Sequence, residues 1–88
     1  MRIFCSIFKT NSSYEDWLVE TDSISIEETD DDSEVDLVFT AKSPYGKEYT
    51  IKTTIHSDYV ESAYTNATRL LEEALKVGYL DLRKFKSI

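Results

Sequence analysis

One long helical pattern near the end of the chain constrains what the remaining residues can fold into. Between residues 58 and 77, apolar side chains recur at three- and four-residue intervals, which places them on one side of an α-helix. Ser57 or Asp58 is placed to cap its start, with Glu61 completing a capping box, and Gly78 fits a left-handed C-terminal cap. The apolar positions are Val60, Ala63, Tyr64, Ala67, Leu70, Leu71, Ala74 and Leu75. Such a helix cannot bury its own apolar side, so the preceding residues must supply the surface that it packs on.

Two alternating segments before the helix predict an antiparallel hairpin. Every second residue is mostly apolar from 35 to 41 and again from 49 to 55. The apolar sets share a face if Ala41 pairs with Tyr49, Phe39 with Ile51, and Val35 with Ile55. This register leaves the three-residue loop Pro44-Tyr45-Gly46. A type I turn followed by a left-handed residue closes such loops, and Pro44 and Gly46 fit those two positions.

The segments before the hairpin and after the helix have less specific patterns. Arg2–Lys9 carries apolar residues on both sides and predicts an inner strand, or a strand whose outer face is covered. Residues 14–19 fit either a helical turn, with acidic residues at its start, or a strand. Residues 22–28 alternate and should form a hairpin with residues 35–41 across the acidic loop 27–34. The tail, 79–88, fits an edge strand, a short second helix or a packed tail.

These segments together predict an α+β fold in a single domain spanning residues 1–88. It is a small antiparallel β-sheet of three to four strands, with one long amphipathic C-terminal helix packed on one face. We place Leu71 in the core beneath this helix. The single Cys5 and the absence of a long apolar run favour a cytoplasmic protein without a membrane span.

The charge distribution points to a class of partner. Residues 1–41 contain eleven of the 17 acidic side chains but only two of the ten basic ones, and none of the basic residues lies between Lys9 and Lys42. Phosphate binding requires Lys and Arg, so this part of the chain is unsuited to direct contact with nucleic acid. It favours a basic protein partner that approaches under electrostatic steering.

The residue content argues against catalysis, a cofactor or a dedicated metal site. His56 is the only histidine and lies on the polar side of its predicted strand, and Cys5 sits among apolar neighbours. Asp30, Asp32 and Glu34 occupy alternate positions of a calcium-loop pattern. Val35 replaces the required glycine, however, and no glutamate occupies the last position of that pattern. We therefore expect no enzyme activity.

The acidic segment is the candidate partner-binding site, although many such runs are only solvated loops. Alternate carboxylates on a strand stand about 6.6 Å apart, so a rigid hairpin presents a line of negative charge that a phosphate-binding groove accepts. Trp17 or Leu18 beside it is expected to provide an apolar anchor. The candidate partner-binding residues are Trp17, Glu20, Asp22, Glu27, Glu28, Asp30, Asp31, Asp32, Glu34 and Asp36.

A short, strongly acidic chain with one cysteine and a β-then-α order resembles the small phage-encoded inhibitors of host defence. That class includes anti-CRISPR proteins and the uracil-DNA glycosylase inhibitor, several of which are DNA mimics. The resemblance implies a non-enzymatic inhibitor of a basic, nucleic-acid-binding protein such as a nuclease, effector complex or repair enzyme. It covers size, charge and element order, and it carries over no functional residue.

Two other functions fit the same residues. An immunity protein that neutralises a basic nuclease toxin would use the same carboxylates. A homo-oligomeric structural domain would instead use apolar residues that one helix cannot cover, namely Phe4, Phe8 and Val38, and would leave the acidic loop merely solvated.

Overall fold

The computed structural model describes residues 1–9, 12–42 and 45–87, with the backbone alone for the last two of these, and shows an α+β fold. It contains more strands than the three to four predicted, and the strands form two small sheets with the order β2-β1-β6 and β3-β4-β5. The elements in chain order are β1 (Arg2–Phe8), β2 (Tyr14–Glu20), β3 (Ser25–Glu28), β4 (Glu34–Lys42), β5 (Glu48–His56), α1 (Ala63–Val77) and β6 (Tyr79–Ser87).

The first sheet is mixed, whereas the sequence predicted antiparallel strands throughout. β1 is its inner strand, as predicted, and pairs antiparallel with β2 and parallel with β6. Residues 14–19 are therefore part of a strand and not a helical turn. Val19 and Trp17 are buried and alternate with exposed residues along β2, which is the two-residue period of a strand with one buried face. The tail takes the edge-strand alternative, while Ile88 lies outside the described residues.

The second sheet has the register that face matching predicted. Val35 pairs with Ile55, Phe39 with Ile51, and Ala41 with Tyr49. Gly46 has a φ of 84°, the left-handed value expected of the last loop residue. Pro44, which was assigned the first turn position, lies outside the described residues. β3 pairs with β4 on its other side, with Glu27 opposite Asp36.

The core lies between the two sheets. Ile3 and Cys5 from β1, Leu37 from β4 and Leu82 from β6 are all fully buried. The Trp17 and Tyr49 rings meet at a centroid distance of 5.5 Å and join β2 to β5. β5 also contacts β6, so the two sheets adjoin along those strands. The apolar faces of the strands are therefore buried against one another as well as against the helix.

The helix begins five residues later than the sequence predicted. Its cap is Ser62, whose hydroxyl accepts a hydrogen bond from the Thr65 amide at 3.1 Å, and not Ser57 or Asp58. Asp58 instead accepts hydrogen bonds from the Val60 and Glu61 amides, which closes a separate turn ahead of the helix. Asp58 and Ser62 can each accept hydrogen bonds from amides two or three residues later, so the sequence is compatible with a helix start at either residue. In the structure only the turn after Ser62 continues into the helix. The C-terminal end is as predicted, with Gly78 at a φ of 90°.

The helix packs on β4, β5 and β6 mainly through small side chains. Ala63, Ala67 and Ala74 are buried, but Leu71 is only half-buried and Leu75 is 72% exposed. Leu71 and Leu75 line an open hollow of about 160 Å³ beside Ile24. Leu71 therefore packs against the edge of the core and is partly buried, rather than lying fully within the core. The small alanine side chains bring the helix backbone close to the sheet and leave the larger residues at the rim. Within the described residues, no helix has the length and apolarity required to cross a membrane.

Candidate partner-binding surface

The β3–β4 hairpin carries most of the predicted acidic site. Its acidic residues, which we call the acidic hairpin, are Glu27, Glu28, Asp30, Asp31, Asp32, Glu34 and Asp36. Glu27 and Glu28 end β3, Glu34 and Asp36 begin β4, and the three aspartates form the turn between them. The predicted acidic loop 27–34 is therefore shorter than expected: residues 29–33 connect the strands, and the glutamates on either side of them lie on β3 and β4.

Side-chain hydrogen bonds hold the turn in one conformation. The Ser33 amide and hydroxyl donate to Asp31 Oδ1 at 2.9 and 2.7 Å. The Asp31 amide donates to Thr29 Oγ1 at 3.1 Å, and the Glu34 amide donates to the Asp31 carbonyl at 3.1 Å. The Ser33 hydroxyl and then its amide hold the pKa of Asp31 below its usual value of 3.8. Asp31 is thus a structural member of the turn, while Asp30 and Asp32 are exposed beside it.

Three of the carboxylates lie on the outer face of the second sheet. Glu27 on β3 is directly opposite Asp36 on β4. Glu34 precedes Asp36 by two residues on β4, so both lie on the same face of the sheet. Cross-strand neighbours have Cβ atoms about 4.5–5.5 Å apart, and like charges at that separation destabilise the pair. The Thr54 hydroxyl, from β5, donates to Asp36 Oδ1 at 2.8 Å. This donor is neutral, so the negative charge of the pair persists.

Few positive groups lie close to these carboxylates. His56 Nδ1 stands 3.7 Å from Glu34 Oε2 on the exposed face of β5, the polar position that the sequence predicted for it. Lys52 is opposite Val38, one step further along the sheet. Among the residues that the structure describes, Asp30 and Asp32 form no side-chain hydrogen bond or ion pair. The acidic hairpin therefore presents carboxylates that a cationic partner can reach.

Two acidic residues of the predicted site lie away from the hairpin tip. Glu20 ends β2 in the other sheet, where Arg2 Nε lies 4.0 Å from its carboxylate. Asp22 precedes β3, and so stands at the opposite end of that strand from the turn. The sequence places all these carboxylates in one segment, but the change of sheet between β2 and β3 separates them in space.

Trp17, the predicted apolar anchor, is buried. It is 3% exposed, and its Nε1 donates to Glu15 Oε1 at 2.7 Å. Its position on the inner side of β2 directs it into the core, so it offers no surface to a partner. Leu18, named with it as an alternative, points to the other side of the strand and is 59% exposed.

An exposed apolar face of the first sheet was only partly anticipated. Phe8, Tyr14, Leu18 and Tyr79 are each about half exposed on it. The sequence predicted that Phe4 would be left uncovered by the helix. In the structure it is half-buried between the Tyr79 ring and the Arg83 guanidinium. Tyr14 and Leu18 can be placed on this face only once residues 14–20 are known to be a strand, because alternate residues of a strand lie on the same side.

The described residues hold no other reactive arrangement. Burial, and then the nearby Asp16 charge, raise the pKa of the Cys5 thiol to about 11, which keeps it protonated and unreactive. No group of three potential ligands capable of holding a metal occurs in the described part of the chain. The side chains thus offer charge and apolar surface.

Comparison with known proteins adds no relative: no family model, characterised protein or solved structure matches this chain significantly.

Proposed function

We propose that this chain is a non-enzymatic binding protein that inhibits a basic, nucleic-acid-binding partner through the acidic hairpin. The observation that carries the proposal is the pairing of Glu27 with Asp36 beside the aspartates of the turn. Opposed carboxylates cost folding stability, and a cationic surface placed over them relieves that cost on binding. A merely solubilising loop needs no such pairing.

The shape of the hairpin suits a groove that accepts a nucleic-acid backbone. Its charges stand on a paired strand and a hydrogen-bonded turn, so little conformational entropy is lost when a partner binds. Alternate carboxylates on β4 lie about 6.6 Å apart, a spacing comparable to that of successive phosphates on one strand. A basic groove in a nuclease, effector complex or repair enzyme meets these requirements, and so does the active site of a basic nuclease toxin.

The experiment is affinity capture from a bacterial lysate with two variants of equal charge. Asp30→Asn with Asp32→Asn removes two charges from the turn, and Glu72→Gln with Glu73→Gln removes two from the helix. We expect the turn variant to lose basic, nucleic-acid-binding proteins that the wild type and the helix variant retain, and we expect their capture to weaken at high salt. Equal capture by all three proteins would remove the acidic hairpin from the interface.

A homo-oligomeric structural role is a second candidate, favoured by the exposed apolar face of the first sheet. Faces of this kind often mark a dimer interface. Light scattering on the purified chain measures the mass directly. A dimer that Phe8→Lys dissociates supports this function, and a monomer at high concentration excludes it.

A further inference from the structure

None of the described strands pairs with the outer edge of β2. β2 pairs with β1 along one edge, and the described strands supply none for the other. The Thr21 amide donates to the Met1 carbonyl at 3.0 Å, and the Lys9 amide donates to the Ser13 carbonyl at 2.7 Å. Backbone groups of an antiparallel strand alternate between its two edges, so odd-numbered residues of β2 face β1. Asp16, Leu18 and Glu20 therefore direct their N–H and C=O groups to the open edge.

A second open edge lies across a groove from the first. β3 pairs with β4 only as far as Val38, leaving the remainder of β4 paired on one side. The Ser57 amide donates to the Ser33 carbonyl at 2.7 Å, which fixes the alternation in the β4–β5 ladder. By that alternation Thr40 and Lys42 direct their backbone groups away from β5. The groove between the two edges has a volume of about 620 Å³.

The charge around this groove selects among possible occupants. β2 contains Glu15, Asp16 and Glu20 and no basic residue. The Met1 ammonium lies 3.2 Å from Glu20 and Lys9 Nζ lies 3.8 Å from Glu15, so Asp16 is the carboxylate of β2 that forms no ion pair with a described residue.

Asp22 and Glu48 also line the groove, and Lys42 is the one base among the described residues of its lining. Two copies of β2 placed edge to edge would bring their carboxylates together, which disfavours a second copy of this chain. An extended basic segment complements this edge in two ways: its backbone groups can pair with those of β2, and its positive side chains can face the carboxylates.

We propose that an extended basic peptide segment binds as an added strand along the open edge of β2. Asp16, Leu18 and Glu20 share the outer side of the strand, so the segment carries an apolar side chain opposite Leu18. Lysine or arginine two residues to either side then faces Asp16 and Glu20. Main-chain hydrogen bonds supply affinity, and the alternating side chains supply selectivity. This site is separate from the acidic hairpin, and it does not rest on the function proposed for that hairpin.

The test uses the full chain and the capped peptide Thr-Lys-Thr-Val-Thr-Lys-Thr. Isothermal titration calorimetry measures the binding directly. We expect saturable binding to the parent peptide. In an antiparallel added strand the valine N–H donates to the Leu18 carbonyl, so methylating that nitrogen removes one donor without changing charge and should weaken binding about tenfold or more. Exchanging both lysines for glutamate should abolish it.

Protein variants locate the site independently of the peptides. Leu18→Lys adds a like charge at an exposed position and should abolish binding with an unchanged melting temperature. Glu72→Gln with Glu73→Gln, on the helix, should leave peptide affinity unaltered, whereas Asp30→Asn with Asp32→Asn reports any binding at the acidic hairpin instead. The proposal is overturned if the parent peptide does not bind, if valine N-methylation has no effect, or if the turn variant rather than Leu18→Lys loses binding. It is also overturned if β2 is occupied by a second copy, seen as a dimer that Leu18→Lys dissociates.

Discussion

Leu37 and Leu71 carry the same side chain in different surroundings. Leu37 is fully buried between the sheets, whereas Leu71 lies half-buried at the rim of an open hollow. Leu37→Ala should therefore cost about 2–5 kcal/mol of unfolding free energy, and Leu71→Ala less than about 2 kcal/mol. Urea denaturation of both variants measures the difference. An equal loss in the two would contradict the rim position of Leu71.

The carboxylate of Asp81 gives one residue-level source of acid sensitivity. Arg83, chiefly through its side-chain hydrogen bonds, lowers the pKa of Asp81 to about 2 from its ordinary value of 3.8. Between pH 3.8 and about pH 2, Asp81 is protonated more fully in the unfolded chain than in the folded one. The contribution of the ionised Asp81 to folding stability is therefore present above pH 3.8 and is lost as the pH falls toward 2. Asp81→Asn should flatten the pH dependence of unfolding in this window. Asp32→Asn, which removes a carboxylate without such a partner, is the control.

The alternation of apolar residues predicted the buried faces of the strands more accurately than the helical pattern predicted the buried face of α1. The two-residue period placed Val35, Leu37 and Phe39 on the buried side, since a strand has only two faces. A helical stripe is broader, and which part of it is buried depends on the angle at which the helix approaches. The small side chains of Ala63, Ala67 and Ala74 set that approach, which the sequence alone does not specify.

At the scale of an element, the start of α1 depends on one serine. The Ser62 hydroxyl accepts from the Thr65 amide, and Ser57 lies before the separate turn at Asp58. Ser62→Ala should lower the unfolding free energy by about 1 kcal/mol, while Ser57→Ala should have little effect. Thermal or urea unfolding monitored by circular dichroism compares the two. The reverse order would return the helix start to residues 57–58.

The elements also show why the candidate site was only partly predictable. The acidic hairpin followed from two alternating segments, and its register from matching their faces. The position of β2 in the other sheet depends on pairing with β1, a contact between segments that each have apolar residues on both sides. Local periodicity does not choose such partners, so Trp17 was assigned to the surface and Glu20 was grouped with the hairpin.

At the scale of the whole molecule, the net charge is −7. The effect of removing one negative charge on stability therefore depends on where that charge lies. Glu27→Gln and Glu73→Gln remove the same charge, but only the first relieves a cross-strand carboxylate pair. We expect Glu27→Gln to raise the melting temperature more than Glu73→Gln, by on the order of 1–4 °C. Added salt should narrow this gap through screening. Calorimetry of the two variants at two ionic strengths measures the difference in melting temperature and its dependence on salt. Identical melting temperatures for Glu27→Gln and Glu73→Gln would contradict repulsion between Glu27 and Asp36.

The parallel pairing of β1 with β6 determines when the fold can be completed during synthesis. A ribosome delivers the chain from its N-terminal side, so β1 emerges long before the strand that completes its pairing. Contacts so distant along the chain also slow folding, because the intervening segment must first be closed into a loop. Until β6 emerges, β1 has an unsatisfied edge and the nascent chain is open to chaperones and to proteolysis. The first sheet is thus completed only after translation has passed residue 87.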